Sequence, residues 1–402
     1  MARLLSRCVC LAVLSVIAAS VMRLGVTSTS AAAPRTPGTS TIGKRLSELK
    51  GADTGVDDFF GDSVAISGTT AVVGAEDHAH DAGRAYLFSL NQAGWSQVAE
   101  VEGADTVAGD DFGWSVAIGG DTVVVGAPSR AKDAGRAYVF GQTSAGWAQV
   151  AVLKGTGTVV NDGFGASVAV SGTTAVVGAS GHDDYAGAAY VFTDTAGSWH
   201  ETAELEGPRV VAGDEFGWSV AISGLTVVVG VQDHADDGGL AYVFEKTGRY
   251  WTQTAELKGS DTVAGDFFGD SVAISGATAV IGAWGHNRNA GRVYVFEKAK
   301  GHWRQVAELK GSDTVPGDFF GDSVAVSGST VVVGAENHAS DAGRAYVFTK
   351  TATGWKQVEE VDGPDTVAGD WLGYSVALSG ATAVVGAPNH ASSAGRAYVF
   401  AA

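Results

Sequence analysis

A Phe-Gly pair returns along this chain every 52 residues. It stands at Phe60-Gly61, Phe112-Gly113, Phe164-Gly165, Phe216-Gly217, Phe268-Gly269 and Phe320-Gly321, and as Leu372-Gly373 in the seventh copy. No insertion or deletion breaks the step. Gly74 and Tyr86 recur at the same interval through all seven units, whereas Trp95 recurs only six times, ending at Trp355. Seven equal units in strict register restrict the chain to a repeat architecture, in which each unit buries its apolar surface against its neighbours.

One unit reads as four short strands. Ser63–Ile66, Thr70–Ala75 and Arg84–Phe88 are rich in β-branched, aromatic and small residues, and Trp95–Val101 is more polar and alternating. Ser67-Gly68-Thr69 supplies a tight turn between the first two. The second strand, with Ala71-Val72-Val73, shows no polar alternation and so must be covered on both faces. Four strands every 52 residues, the middle ones doubly covered, describe a β-propeller blade.

The last unit stops at Phe400, after its third strand, which explains the missing tryptophan. Stepping the pattern back from Trp95 places Gly43–Gly51 at the vacant fourth-strand position, and Leu49-Lys50-Gly51 matches Leu257-Lys258-Gly259. The expectation is an all-β, seven-bladed β-propeller of four-stranded antiparallel blades. The N-terminal strand completes the last blade, which removes the exposed edges of an open array. A single domain over residues 43–402 results. Phe60 and its counterparts are expected as wedges between blades, each worth about 1.5–3 kcal/mol of burial. Gly61 is expected where two backbones approach, and Gly74 where the second strand ends.

Arg3 and Arg7, the apolar run Cys8–Met22 and Ala31-Ala32-Ala33 read as a secretory signal peptide over residues 1–33, followed by a short linker over 34–42. The run is shorter than the ~20 apolar residues that a spanning helix needs. Secretion, with no membrane insertion after signal removal, is the expectation. Both cysteines, Cys8 and Cys10, lie in the leader. Cleavage removes three arginines and no acid, taking the net charge from −18 to −21. Such a charge repels nucleic acid, which is excluded as a partner.

These units resemble the FG-GAP repeat of integrin α-subunit heads and of many bacterial secreted proteins. The resemblance covers residues 37–400. The literal Gly-Ala-Pro stands only at Gly126-Ala127-Pro128 and Gly386-Ala387-Pro388. It implies a seven-bladed propeller used for extracellular recognition. Many such proteins carry an Asp-x-Asp-x-Asp-Gly calcium loop between the first two strands. Here that hairpin reads Ile66-Ser67-Gly68-Thr69-Thr70, and only Asp121 brings a carboxylate to any copy. Calcium needs several converging oxygens, so no cofactor is expected there. The acidic loops Glu76-Asp77 with Asp81, and Asp233 with Asp236 and Asp237, are the best remaining candidates for a calcium site elsewhere.

One loop position carries His78, His182, His234, His286, His338 and His390, with Arg130 as the seventh copy. Histidine is a common metal ligand. Successive copies lie on different blades, however, and arginine binds no metal but donates hydrogen bonds. Two residues before each Phe-Gly stands an acid: Asp58, Asp110, Asp162, Asp214, Asp266, Asp318 or Asp370. The expected role of this set is structural, each His or Arg tied to an Asp. The Ser63 series is expected to bond backbone within the inner strand, since no Gly-x-Ser-x-Gly elbow surrounds it. The Trp95 series reads as packing at the rim of the opposite face, and the Arg84 series as surface ion pairs of small value.

Recognition residues are sought where the units disagree. The slot between Gly and Ser holds Asp62, Trp114, Ala166, Trp218, Asp270, Asp322 and Tyr374. Trp114, Trp218 and Tyr374 can stack on a sugar or anchor a protein, and Trp284 and Trp371 add aromatic surface nearby. The expected function is a monomeric, non-enzymatic scaffold that binds an extracellular protein or cell-surface partner. A carbohydrate-binding lectin is the alternative. A polysaccharide lyase or glycosidase is a third reading, disfavoured because it needs paired acids in one asymmetric cleft.

Overall fold

The computed structural model describes residues 42–402. The expected signal peptide over residues 1–33, and the expected linker up to residue 41, lie outside the described residues. Seven four-stranded antiparallel sheets form a ring. The first blade comprises an inner strand Val64–Ser67, a second strand Thr70–Ala75, a third strand Arg84–Asn91 and an outer strand Gly94–Val101. Each later blade repeats this plan, and the last takes its outer strand from Arg45–Leu49. That strand pairs antiparallel with Arg396–Ala401, Leu49 opposite Ala397 and Glu48 opposite Tyr398. The ring is therefore closed by the segment that stands in for the missing seventh tryptophan unit.

The core lies between sheets. Phe112 packs with Val72, Ala85 and Leu87 of the first blade and with Val123, Val125, Tyr138 and Phe140 of the second. Its ring meets Tyr138 and Phe140 at 5.5 and 5.9 Å in edge-on geometry, the preferred arrangement for aromatic pairs. Ala71, Val72 and Val73 are wholly buried, as a strand covered on both faces must be. The six tryptophans of the outer strands pack as partly buried flanks of these clusters, Trp95 and Trp147 among them.

The Phe-Gly turn and the second strand close one hairpin. Gly61 N–H donates to Gly74 O, and Gly74 N–H donates to Ser63 O, each at 2.9 Å. Gly74 is the penultimate residue of the second strand, Thr70–Ala75. It is required there because a Cβ would collide with Gly113 O of the next blade. Ser63 differs from expectation: its hydroxyl donates not within its own strand but to Gly113 O, at 2.6 Å. All seven serines make this bond, and Ser375 reaches Gly61 across the closure. Each serine thus ties one inner strand to the next.

The loop after the second strand makes a one-turn segment, His78–Asp81, that winds left-handed, with φ of +56°, +63° and +61° at Ala79, His80 and Asp81. Three successive non-glycine residues in this region are costly, about 1–2 kcal/mol each. Hydrogen bonds to the next blade hold them. Gly109, Asp111 and Phe112 N–H donate to His80, Asp81 and Ala82 O. The Phe-Gly turns and these left-handed turns share one face of the ring, and the Ser67–Thr70 hairpins lie on the other. Among the described residues no helix is long and apolar enough to cross a membrane.

Candidate functional site

On the first face each Phe-Gly pair forms the centre of a β-turn. Asp62 N–H donates to Phe59 O at 3.0 Å, and the other blades match it. Gly61, at φ +100°, fills the third position, which needs positive φ. The first position is also left-handed. It holds Phe59, Asp111, Glu215, Phe267, Phe319 and Trp371 at φ of +52° to +61°, and Gly163 only in the third blade. Bulky side chains rarely adopt this conformation. Bonds such as Phe59 N–H to Ser393 O, 2.8 Å, impose it.

The first and last turn residues carry the differences between blades. Blades 1, 5 and 6 read Phe-Phe-Gly-Asp, ending in Asp62, Asp270 and Asp322. Blades 2 and 4 reverse the types, Asp111 with Trp114 and Glu215 with Trp218. Blade 7 is aromatic at both ends, Trp371 and Tyr374, and blade 3 has Gly163 and Ala166. The face therefore divides into an arc over blades 5, 6, 7 and 1, aromatic at the first position, and an arc over blades 2 to 4 that lacks aromatic residues there. All the slot residues are partly buried.

Ring contacts concentrate in the first arc. Trp371 stacks on Tyr374 with centroids 6.0 Å apart. Trp284 lies flat on Phe267 at 4.5 Å and tilted on Phe319 at 4.9 Å, linking blades 5 and 6. In the second arc the acids are held by polar neighbours. Ser129 Oγ donates to Asp111 Oδ2 at 2.6 Å, and Gln232 Nε2 to Glu215 Oε2 at 3.0 Å. Trp218 Nε1 donates to Asp270 Oδ1 at 3.0 Å, joining the arcs. Burial pushes the Glu215 carboxyl up. Burial, with Glu215, Asp237 and Asp214 adding repulsion, pushes Asp233 up to about 7.

Beneath the turns lies the histidine layer. His78 Nδ1 is 2.9 Å from Asp58 Oδ2, and His182, His234, His286, His338 and His390 meet Asp162, Asp214, Asp266, Asp318 and Asp370 at 2.8–2.9 Å. Arg130 replaces this contact with Nε at 3.4 Å from Asp110. The same Asp oxygen accepts a backbone N–H three residues back, as from Val107 to Asp110 at 2.7 Å.

A third member of this layer is absent from the sequence reading. Tyr86 OH donates to Asp53 Oδ1 at 2.8 Å, and Tyr138, Tyr294, Tyr346 and Tyr398 bond Asp105, Asp261, Asp313 and Asp365. Desolvation, then the aspartate, raises the Tyr86 phenol far above its ordinary value. Blades 3 and 4, with Gly157 and Arg209 at the aspartate position, make no such bond. The Arg84 series reaches outer-strand acids: Arg84 Nε is 3.2 Å from Glu100 Oε1.

Seven four-stranded blades joined by Phe-Gly turns and closed by an N-terminal strand define a seven-bladed propeller of the FG-GAP kind. The family model described as FG-GAP repeat matches residues 45–88, 95–140, 147–192, 199–244, 251–296, 303–348 and 355–400. The chain belongs to the FG-GAP repeat family. A search of curated proteins returned no match.

Proposed function

We propose that this is a secreted, non-enzymatic recognition protein that binds a protein or cell-surface partner through the face bearing the Phe-Gly turns. The observation that carries the reading is the placing of variation. Blades that repeat their serines exactly, and their wedges and histidine layer with one exception each (Leu372 and Arg130), differ widely at the first and last turn residues and at Trp284. The resulting aromatic arc, with Trp284, Trp371 and Tyr374, suits an anchor for a protein partner. The family's common use in protein binding supports this. A glycan partner is the second reading, favoured by the stacked Trp371–Tyr374 pair. A lectin built on seven equal blades would repeat one acid–aromatic pocket, whereas here the order of acid and aromatic reverses between blades.

The test immobilises the mature protein and recovers binders from its own secreted milieu. Trp284→Ala with Trp371→Ala should abolish capture, with Leu225→Ser, exposed on the opposite hairpins, leaving it intact. Equal capture by both variants, or sugar binding on a glycan array that free sugar competes away, would overturn the reading.

A further inference from the structure

We propose that His78 and His338 each hold a first-row divalent cation, with zinc the best fit. Asp53 and Glu100 would complete the site in blade 1, and Asp313 and Glu360 in blade 6. In each set one ligand atom from every residue lies within 4.8 Å of the others. His78 Nε2 is 3.6 Å from Asp53 Oδ2, and His338 Nε2 is 3.6 Å from Asp313 Oδ2. Tetrahedral zinc with ligands at about 2.0–2.2 Å needs ligand atoms about 3.3–3.5 Å apart. The His–Asp pairs need shifts of a few tenths of an ångström, and the glutamates, whose ligand atoms lie within 4.8 Å, must swing in farther.

The hydrogen-bond geometry behind the histidine gives a second reason. Asp58 Oδ2 accepts the N–H of Gly55 at 2.6 Å and faces His78 Nδ1 at 2.9 Å. A carboxylate oxygen in that position accepts a hydrogen bond, so Nδ1–H is the donor. Nε2, the other ring nitrogen, is thereby turned toward Asp53 and Glu100. A carboxylate behind a histidine, orienting its other nitrogen, is the usual outer shell of a zinc ligand. The acids are prepared in the same sense. Tyr86 occupies Asp53 Oδ1 and Arg84 occupies Glu100 Oε1, which leaves Asp53 Oδ2 and Glu100 Oε2 as donors. Tyr346 and Arg344 do the same for Asp313 and Glu360.

Blades that lack the triad supply a built-in cation in two of three cases. In blade 2 Arg130 stands for the histidine, 3.2 Å from Asp105, and Val152 stands for the glutamate. In blade 4 Arg209 stands for the aspartate, 3.3 Å from Glu256. Blades 5 and 7 keep all three residue types, with Nε2 to carboxylate distances of 3.8 and 3.7 Å. The sequence expectation of no metal treated the histidines as one set across blades. Within a blade each meets acids from two other segments, so the ion would clamp a loop, the left-handed turn and the outer strand together.

Untagged mature protein, stripped with chelator, is dialysed against zinc at neutral pH and its metal content measured. Two equivalents are expected. Glu100→Val with Glu360→Val copies the residue native to blade 2 and spares the His–Asp tie. It should lose both equivalents and the accompanying rise in Tm, with the metal-free Tm unchanged. Four equivalents falling to two in that variant would support the assignment and extend it to blades 5 and 7. No zinc retained by wild type, or retention undiminished in the variant, would overturn it.

Discussion

Gly334→Ala should be among the most damaging single-methyl changes available in this ring. An ideal Cβ at Gly334 would lie 1.8 Å from Gly373 O, 2.3 Å from Ser323 Oγ and 2.8 Å from Gly373 C. An ordinary carbon–oxygen approach is about 3.3 Å, so the inner edges of blades 6 and 7 would have to part by more than an ångström. The obstacle is backbone, which no rotamer change removes. Overpacking of this kind costs about 1–3 kcal/mol. The methyl also invades the Ser323 hydroxyl bond to Gly373 O, 2.6 Å, worth about 1 kcal/mol more. A total of about 2–4 kcal/mol follows. Gly328→Ala is the matched control. It lies in open space at φ +58°, so it carries only the left-handed penalty of about 1–2 kcal/mol. Equilibrium urea unfolding, followed by tryptophan fluorescence and far-UV circular dichroism, separates the two. A Gly334→Ala loss no larger than that of Gly328→Ala would refute the claim that backbone contact between blades demands these glycines.

Two further outcomes are expected. Asp233 is held at about 7 against an ordinary 3.8, so the fold retains its proton more tightly than the unfolded chain. Stability from this group is complete below pH 4 and lost as pH rises through 7. Asp233→Asn should therefore be more stable than wild type at pH 8, by about 1–2 kcal/mol once partial solvent access is allowed for. The gap should close toward pH 4, and a constant gap would contradict this. Removal of residues 1–51 uncovers the edge of Arg396–Ala401 and should give dimers or larger species by light scattering. A peptide of residues 43–51 added in trans should restore the monomer, and a truncated chain that stays monomeric alone would count against closure as the source of solubility.

Architecture was legible because it rests on position. A strict 52-residue step yields the blade count, and the absent tryptophan beside Gly43–Gly51 yields the closing strand. The pairing of His78 with Asp58 was visible because both recur without loss of register. Contacts between units were less legible. Ser63 meets Gly113, and Gly74 makes room for it, relations that no single unit contains. Nothing in Ala79-His80-Asp81 or in Phe59 announces positive φ, since local preference is overridden by carbonyls and amides of the adjoining blade. The Tyr86–Asp53 bond was hidden because Gly157 and Arg209 interrupt its series. Its signal was present all the same, as an acid 33 residues before Tyr in five of seven units. The reversal from Phe-Phe-Gly-Asp to Asp-Phe-Gly-Trp could likewise have been read directly.

The pairing of Leu49 with Ala397 also sets an order on biosynthesis. A ribosome delivers the sealing segment before any blade exists, and its mate only after six blades and most of a seventh have emerged. Every shorter nascent length is an unsealed crescent with two adhesive ends. Sealing is consequently a late, single event, and the interval before it is when partners that grip bare strands have their opportunity.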